Sequence, residues 1–348
     1  MITVLLHFLK RFIYKRGKPE IRDYTSNPEL PTVLPDWPGT PLDQRHLFIN
    51  HEFPTVISYR AIVKFMLQRN PQRAEKKKDT WRIKVHKNDN WLTNVGDKIV
   101  WLGHASFFIQ LSGIRILIDP IFGKLPVGKR YSELPVEPDK FFQIDYILIS
   151  HAHYDHCDKS SLKILAANNP QAQILVGLKL DKLISNWVNN PIQSAGWYQQ
   201  YKLNSDLKIT FLPSRHWANR SPFDANTTLW GGFMIQSQNR AVYYAGDSGY
   251  SSHFETIGDT FPNIDVALIG AGAYSPTWFM SPHHQDPYSA ARAFNATKAK
   301  TFVPFHYGTF DSADEPLGEP EIILRKIKAE GKINNDLKIL SLGEVFEL

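Results

Sequence analysis

Ser150-His151-Ala152-His153-Tyr154-Asp155-His156 brings three histidines and an aspartate within six positions, directly after the apolar run Tyr146-Ile147-Leu148-Ile149. Side chains return to one face about every 3.6 positions in a helix and every 2 in a strand, so residues at this spacing must sit on a tight loop. Imidazole nitrogen and carboxylate oxygen both suit zinc-class ions, and a catalytic zinc takes about three protein ligands and leaves one position open. His151 and His153 can point at one ion while Asp155 and His156 turn toward a second beside it. One loop then starts two sites, and each needs completing from elsewhere. Surface histidines without a metal role are the plainer alternative, and distant ligands decide between the two.

Such ligands are present in chain order. Arg215-His216-Trp217 follows Lys208-Ile209-Thr210-Phe211-Leu212-Pro213, Gly246-Asp247-Ser248 follows Ala241-Val242-Tyr243-Tyr244, and His306 follows Phe302-Val303-Pro304-Phe305. Each stands at the far end of an apolar, strand-like run. A lone histidine at a strand end is ordinarily structural; this series is a constellation.

Around these residues the chain resembles the metallo-β-lactamase superfamily and, within it, the N-acylphosphatidylethanolamine-hydrolysing phospholipase D family. The resemblance is carried by Trp101-Leu102-Gly103-His104-Ala105, Asp119-Pro120-Ile121-Phe122, the His-x-His-x-Asp-His loop and Ser214-Arg215-His216-Trp217. It continues through Leu229-Trp230-Gly231, Tyr244 to Tyr250, Ile269 to Tyr274, Trp278-Phe279-Met280 and His306-Tyr307-Gly308-Thr309-Phe310, and spans roughly Phe48 to Leu348. It implies an α/β fold, a four-layer αββα sandwich with an N-terminal arm. It also implies one zinc held by His151, His153 and His216, a second held by Asp155, His156 and His306, and Asp247 bridging them. A bridged pair brings the pKa of a water toward ~7 and offsets charge on a developing oxyanion, which suits phosphodiester hydrolysis. Asp155, Asp247 and His284 are the implied catalytic residues. By counting back from Asp286-Pro287, His284 rather than His283 occupies the position facing the phosphate side of the substrate. His284, Tyr274, Trp278 and Phe279 are the expected substrate contacts. Trp217, Phe223 and Trp230 are either acyl-groove lining or sandwich core. His104 and Asp119 fall outside the ligand set, as partners that orient ligands.

The rest of the chain must position these groups. From Lys98 onward short apolar runs alternate with turns. Strands are expected at 99–102, 107–111, 114–118, 207–212, 229–235, 241–245, 266–269 and 301–305, with helices at 160–168, 180–188, 287–296 and 319–330. This is the catalytic unit, 98–348. Residues 19–97 form an arm and charged linker: prolines at 28, 31, 35, 38 and 41 favour an extended course to Thr55, 56–68 has the pattern of a short amphipathic helix, and 71–90, with Lys76-Lys77-Lys78, reads as a solvated loop. Residues 1–18 place apolar positions 2, 5, 6, 9, 12 and 13 on one helical face beside Lys10, Arg11, Lys15 and Arg16, the pattern of a helix lying in a membrane surface, with a helix docked on the protein as the alternative. The charge order is the reverse of a cleavable signal peptide, and the apolar stretch is too short to span a bilayer.

At 348 residues and 43% hydrophobic the chain can bury a large core, and its net charge of +6 suits an anionic partner. Cys157, the single cysteine, rules out an internal disulfide framework and reads as a small buried residue. The leading expectation is a zinc phospholipase D acting on N-acylphosphatidylethanolamine as a peripheral membrane protein, on the cytoplasmic face, with phospholipid and membrane surface as partners and a homodimer admitted. Hydrolysis of a lactone, a cyclic phosphodiester or RNA is the alternative. Nucleic acid is disfavoured because the densest basic run lies upstream of the metal motifs. A non-catalytic membrane protein is disfavoured because all seven ligands are intact.

Overall fold

A computed structural model of the chain describes residues 20–52, 59–126, 128–221 and 223–348. The amphipathic segment expected at 1–18 lies outside them.

Two seven-stranded mixed sheets form the centre. The first runs β16 (Val345–Glu347), β3 (Lys98–Gly103), β4 (Ser106–Leu111), β5 (Ile114–Ile118), β6 (Tyr146–Ile149), β7 (Gln173–Gly177), β8 (Ile192–Ala195). The second runs β15 (Asp336–Leu337), β14 (Thr301–Phe305), β13 (Val266–Gly270), β12 (Ala241–Tyr244), β11 (Gly232–Gln236), β10 (Lys208–Leu212), β9 (Gln199–Gln200). Each sheet is antiparallel in one half and parallel in the other. Every residue of β3, β4, β6 and β12 is buried, as continuous apolar runs require when both sheet faces are covered. The sheets meet through Phe107 of β4, whose ring lies edge-on to Tyr244 of β12 at 6.2 Å and to Phe305 of β14 at 5.6 Å.

Helices cover the outer faces: α3 (Lys159–Asn168) and α4 (Asp181–Ile184) beside the first sheet, α5 (His253–Thr260), α7 (Pro287–Thr297) and α8 (Glu319–Ala329) packed together beside the second. These are the expected α/β sandwich layers. Two helix starts lie close to the functional loops. Asp158 caps α3, accepting from the Ser161 N–H at 3.0 Å, and Asp286 caps α7, accepting from Tyr288 and Ser289, with Pro287 at the first helical position. The short α6 (Thr277–Met280) lies in the connection between β13 and α7.

The arm is tied down at several points. β1 (Asp23–Thr25) pairs with β2 (Thr40–Leu42), Asn27 donates to the Ser194 carbonyl at 2.8 Å, and the Val33 N–H donates to the Tyr198 carbonyl at 2.8 Å. α1 (Tyr59–Leu67) is the expected amphipathic helix over its described part; 56–58 fall outside the described residues.

Several expectations change. The segment 71–90 contains a helix, α2 (Arg73–Lys78), because Arg-Ala-Glu-Lys-Lys-Lys are strong helix formers. Lys76 is held by Asp311 and the Ala313 carbonyl rather than solvated. The helix expected over 180–188 is one turn, α4, followed by hydrogen-bonded turns at 185–187. The strand expected from Leu229 begins at Gly232, since Leu229 and Gly231 donate to the Leu178 and Ser150 carbonyls of the first half and join the sheets instead of extending β11.

Candidate metal centre

All candidate ligands gather on one edge because of strand direction. In the first sheet β3, β5 and β6 run the same way, and in the second β10, β12 and β14 do, while β4 and β11 run opposite. His104 follows β3, Asp119 follows β5, and the 151–156 loop follows β6; His216 lies beyond β10, Asp247 beyond β12, and His306 directly after β14. The reversed strands carry none. Three of these residues adopt left-handed backbone: His104 at φ 51°, Asp119 at 41° and His306 at 70°. Such conformations cost of order 1–3 kcal/mol each in a non-glycine residue and turn the side chain out of the pleat. The His306 N–H donates to the His104 carbonyl at 3.2 Å, so two of these turns, one from each sheet, brace each other.

Among the described residues the donor atoms fall into three groups, each with its atoms within 4.8 Å of one another: His151, His153, His216 and Asp247; His104, Asp155, His156 and His306; and, along the edge between these two, Asp247, His284 and His306. In the first, His153 Nδ1 lies 2.8 Å from His151 Nε2 and 3.2 Å from His216 Nε2, and Asp247 Oδ2 lies 3.7 Å from His216 Nε2 and 3.9 Å from His151 Nε2. In the second, Asp155 Oδ2 is 2.9 Å from His104 Nε2, 3.7 Å from His306 Nε2 and 3.8 Å from His156 Nε2. Asp247 reaches both, with His156 Nε2 and His306 Nε2 each 3.2 Å from one of its oxygens. Asp247 thus lies within reach of both of these groups.

The outer ring nitrogens are also fixed. Asp119 is buried and accepts from His156 Nδ1 (2.7 Å), the Ser150 N–H (2.7 Å), the Ser150 hydroxyl (2.5 Å) and the Tyr244 hydroxyl (2.6 Å). Ser150 Oγ lies 2.9 Å from His151 Nδ1, and the carbonyl of His283 accepts from His216 Nδ1 at 3.0 Å. Each contact turns the opposite nitrogen, Nε2, toward the cluster.

Protonation follows from burial and neighbouring charge. Burial holds the His151 and His216 imidazoles well below the ordinary value, hence neutral with a lone pair available. Burial alone would raise Asp155 and Asp247, but His156 and the other surrounding histidines hold both carboxyls well below the ordinary range. Conversely, burial would lower His306, but Asp247 and Asp155 push it up to about 9, and they raise His156 well above its ordinary value against the same burial. Among the described residues, His156 Nε2 and His306 Nε2 nonetheless have no hydrogen-bond partner of proper geometry. Two buried carboxylates demanding positive charge, amid converging imidazole nitrogens, fit bound cations.

Every residue expected in the ligand set therefore lies in the cluster. His104 joins it through Asp155, and Asp119 stays behind His156 as an orienting partner. His284 reaches the shared edge, its Nδ1 3.8 Å from Asp247 Oδ2 and its ring stacked on His306 at 5.2 Å, whereas the His283 ring is buried beside Trp217 at 6.0 Å. Trp278 is 39% exposed; Phe279 stacks on Phe65 of α1 at 4.3 Å, and Lys64 lies over the Trp278 ring at 4.2 Å. Tyr274 is buried, its hydroxyl donating to Glu319 at 2.5 Å. Trp230 is sandwich core, and Trp217 lies edge-on to His153 at 4.6 Å. Cys157 is buried and its thiol is pushed up to about 12 by that burial. Asn50, Ser150 and Tyr244 were not anticipated. Ser150 and Tyr244 sit inside the quoted motifs, while nothing in the sequence around Asn50 marks it.

The description "Beta-lactamase superfamily domain" matches residues 114–307. An "N-acyl-phosphatidylethanolamine-hydrolyzing phospholipase D 1" of Caenorhabditis elegans is 30% identical over 282 residues, covering 74% of this chain and 78% of that protein. A "UPF0173 metal-dependent hydrolase" of Aeropyrum pernix is 25% identical over 264 residues, covering 72% of this chain and 97% of its own length. Among solved structures, the metallo hydrolase Igni18 of Ignicoccus hospitalis shares the fold at TM-score 0.57 and 24% identity, over 72% of this chain and 98% of that one. With its two sheets, its carboxylate-bridged donor groups and these likenesses, the chain is a metal-dependent hydrolase belonging to the metallo-β-lactamase superfamily and, within it, to the family of the N-acylphosphatidylethanolamine-hydrolysing phospholipase D proteins.

Proposed function

We propose that this hydrolase is a zinc phospholipase D that cleaves N-acylphosphatidylethanolamine to an N-acylethanolamine and phosphatidic acid at a membrane surface. The observation that carries the reading is the place of His284. It closes the donor cluster beside Asp247 and His306, on the segment whose preceding turn, α6, presents Trp278 and Phe279 against α1. A phosphate-facing imidazole and an apolar lip on one segment suit a phosphodiester with acyl chains. The 30% likeness to a phospholipase D of that name supports the same substrate class.

His151, His153 and His216 would hold one zinc, Asp155, His156 and His306 a second, with Asp247 between them. When bound, the ions would supply Lewis acidity that acidifies water and offsets charge developing on the phosphoryl oxygens. Asp119, Ser150 and the His283 carbonyl hold the ligand rings in place. Burial brings His284 down to about 4, so it meets the phosphate neutral, able to donate one N–H to a phosphoryl or leaving oxygen. Water oxygen forms the new bond to phosphorus, the bond from phosphorus to the N-acylethanolamine oxygen breaks, and a proton from water ends on that leaving oxygen. Hydrolysis in ¹⁸O-water followed by mass spectrometry should place the label in phosphatidic acid. Label in a released fatty acid, or cleavage of other esters in a substrate panel with this lipid untouched, would refute the assignment.

A further inference from the structure

His216 is held from a part of the chain far from its own motif. Asn50, buried in the arm, donates from Nδ2 to the His216 carbonyl at 2.9 Å and accepts from the His216 N–H at 3.3 Å, across 166 positions of sequence. Its Oδ1 also takes the Trp230 indole N–H at 3.3 Å, and that indole in turn donates to the Ser214 carbonyl at 3.0 Å. An asparagine side chain offers a donor and an acceptor in one plane, so it can bracket both backbone groups of a single residue. Neighbouring Arg215 makes an isolated bridge with Gly249, while the backbone N–H and carbonyl of His216 go to Asn50. The ring is then set from the other side by the His283 carbonyl.

We propose that Asn50 is a positioning residue of the metal centre: by fixing the backbone of His216 it sets how tightly the cation position of His151, His153 and His216 is held, so the arm belongs to the metal-binding machinery. The proposal rests on the two-cation reading and is independent of which bond the enzyme breaks.

Asn27 provides a control. Its side chain donates to the Ser194 carbonyl at 2.8 Å and its backbone N–H to the Gln199 side chain at 2.8 Å, so substitution removes the first tie of the same arm, and neither of those partners belongs to the donor cluster. Full-length protein loaded with zinc is mixed with an excess of chelating dye and release is followed in time, with cobalt substitution and its absorption bands assigning each phase to a position. Asn50→Ala should speed release from the His216 position by roughly 10–100-fold and leave the other position unchanged, the range seen when an outer partner of a ligand is lost. Asn27→Ala should lower the unfolding midpoint and alter neither rate. If Asn50→Ala folds poorly, Asn50→Ser, which keeps an acceptor for the His216 N–H, carries the same comparison. Unchanged release in the Asn50 variants, or equal acceleration in Asn27→Ala, would overturn the proposal. Wild-type protein that takes up fewer than two ions would instead remove the two-cation reading beneath it.

Discussion

Asp247, His284 and Asp119 occupy three different relations to the same cluster, and substitutions should separate them. Asp247 faces both donor groups, so Asp247→Asn should reduce occupancy of both positions, read by elemental analysis, and activity with them. His284 touches only the shared edge, so His284→Ala should keep the metal content while kcat falls by about 10²–10⁴, the usual span for a lost proton-transfer or hydrogen-bonding group. Asp119 touches no shared donor edge but accepts four hydrogen bonds. Asp119→Asn should therefore cost roughly 10–100-fold in metal affinity, measured by chelator competition. At this scale the sequence was legible wherever chemistry is concentrated in a short motif: the histidine loop, Gly-Asp-Ser and the strand-end His306 announce themselves. It also placed Asp119 outside the ligand set. What it could not announce is Asn50, because a residue recruited across 166 positions to hold a backbone carries no local pattern.

Strand direction is what converts scattered motifs into a site, and close backbone approach is what keeps the edge tight. Gly246 sits at φ 60° immediately before Asp247, and a Cβ there would collide with the Gly231 carbonyl. Gly246→Ala should therefore combine left-handed strain with an overlap, lowering stability by about 1–3 kcal/mol and displacing Asp247. A lowered denaturant midpoint with unchanged slope, together with reduced metal content, is the expected result; a neutral effect on both would show that the turn relaxes freely. The long apolar strands and the capped helices were legible because pattern and burial agree there, as at Thr301–Phe305 and Pro287–Thr297. β7 and β8 escaped although turn residues bound them, Asn169-Pro170 and Gly177 around the first and Asn190-Pro191 and Gly196 around the second, because their apolar runs are short, Ile174-Leu175-Val176 in one and Ile192 alone before Gln193-Ser194 in the other; β16 escaped because it pairs with β3 from the far end of the chain. Leu229 to Gly231 were misjudged as strand because apolar composition does not reveal that their N–H groups serve the opposite half of the molecule.

For the whole molecule, the proposed reading requires a chain of net charge +6 to meet a lipid that is nearly insoluble as a monomer. No described helix is long and apolar enough to cross a membrane. The contact proposed is at the surface. Two places have a physical reason to make it. Residues 1–18, outside the described structure, have a sequence pattern that would put apolar positions on one side of a helix beside Lys10, Arg11, Lys15 and Arg16, and each cation is worth about 1 kcal/mol near anionic lipid. The lip at α1 and α6 offers Leu67, 79% exposed, with Phe65 and Trp278 around Lys64, beside the segment that carries His284. On the proposed reading the terminal segment would act through charge and apolar burial, whereas the lip would act beside the segment that carries His284. Deleting 1–18 should thus weaken binding to anionic vesicles, with high salt reproducing part of the loss, while turnover of substrate dispersed in detergent micelles and metal content stay near wild type. Leu67→Asp with Trp278→Ala should raise KM on vesicles and on micelles alike, with less dependence on salt. Vesicle flotation across a salt series, paired with kinetics in both lipid forms, separates the two. A deletion variant that floats as well as the full chain at every salt concentration would assign the membrane contact to the lip alone.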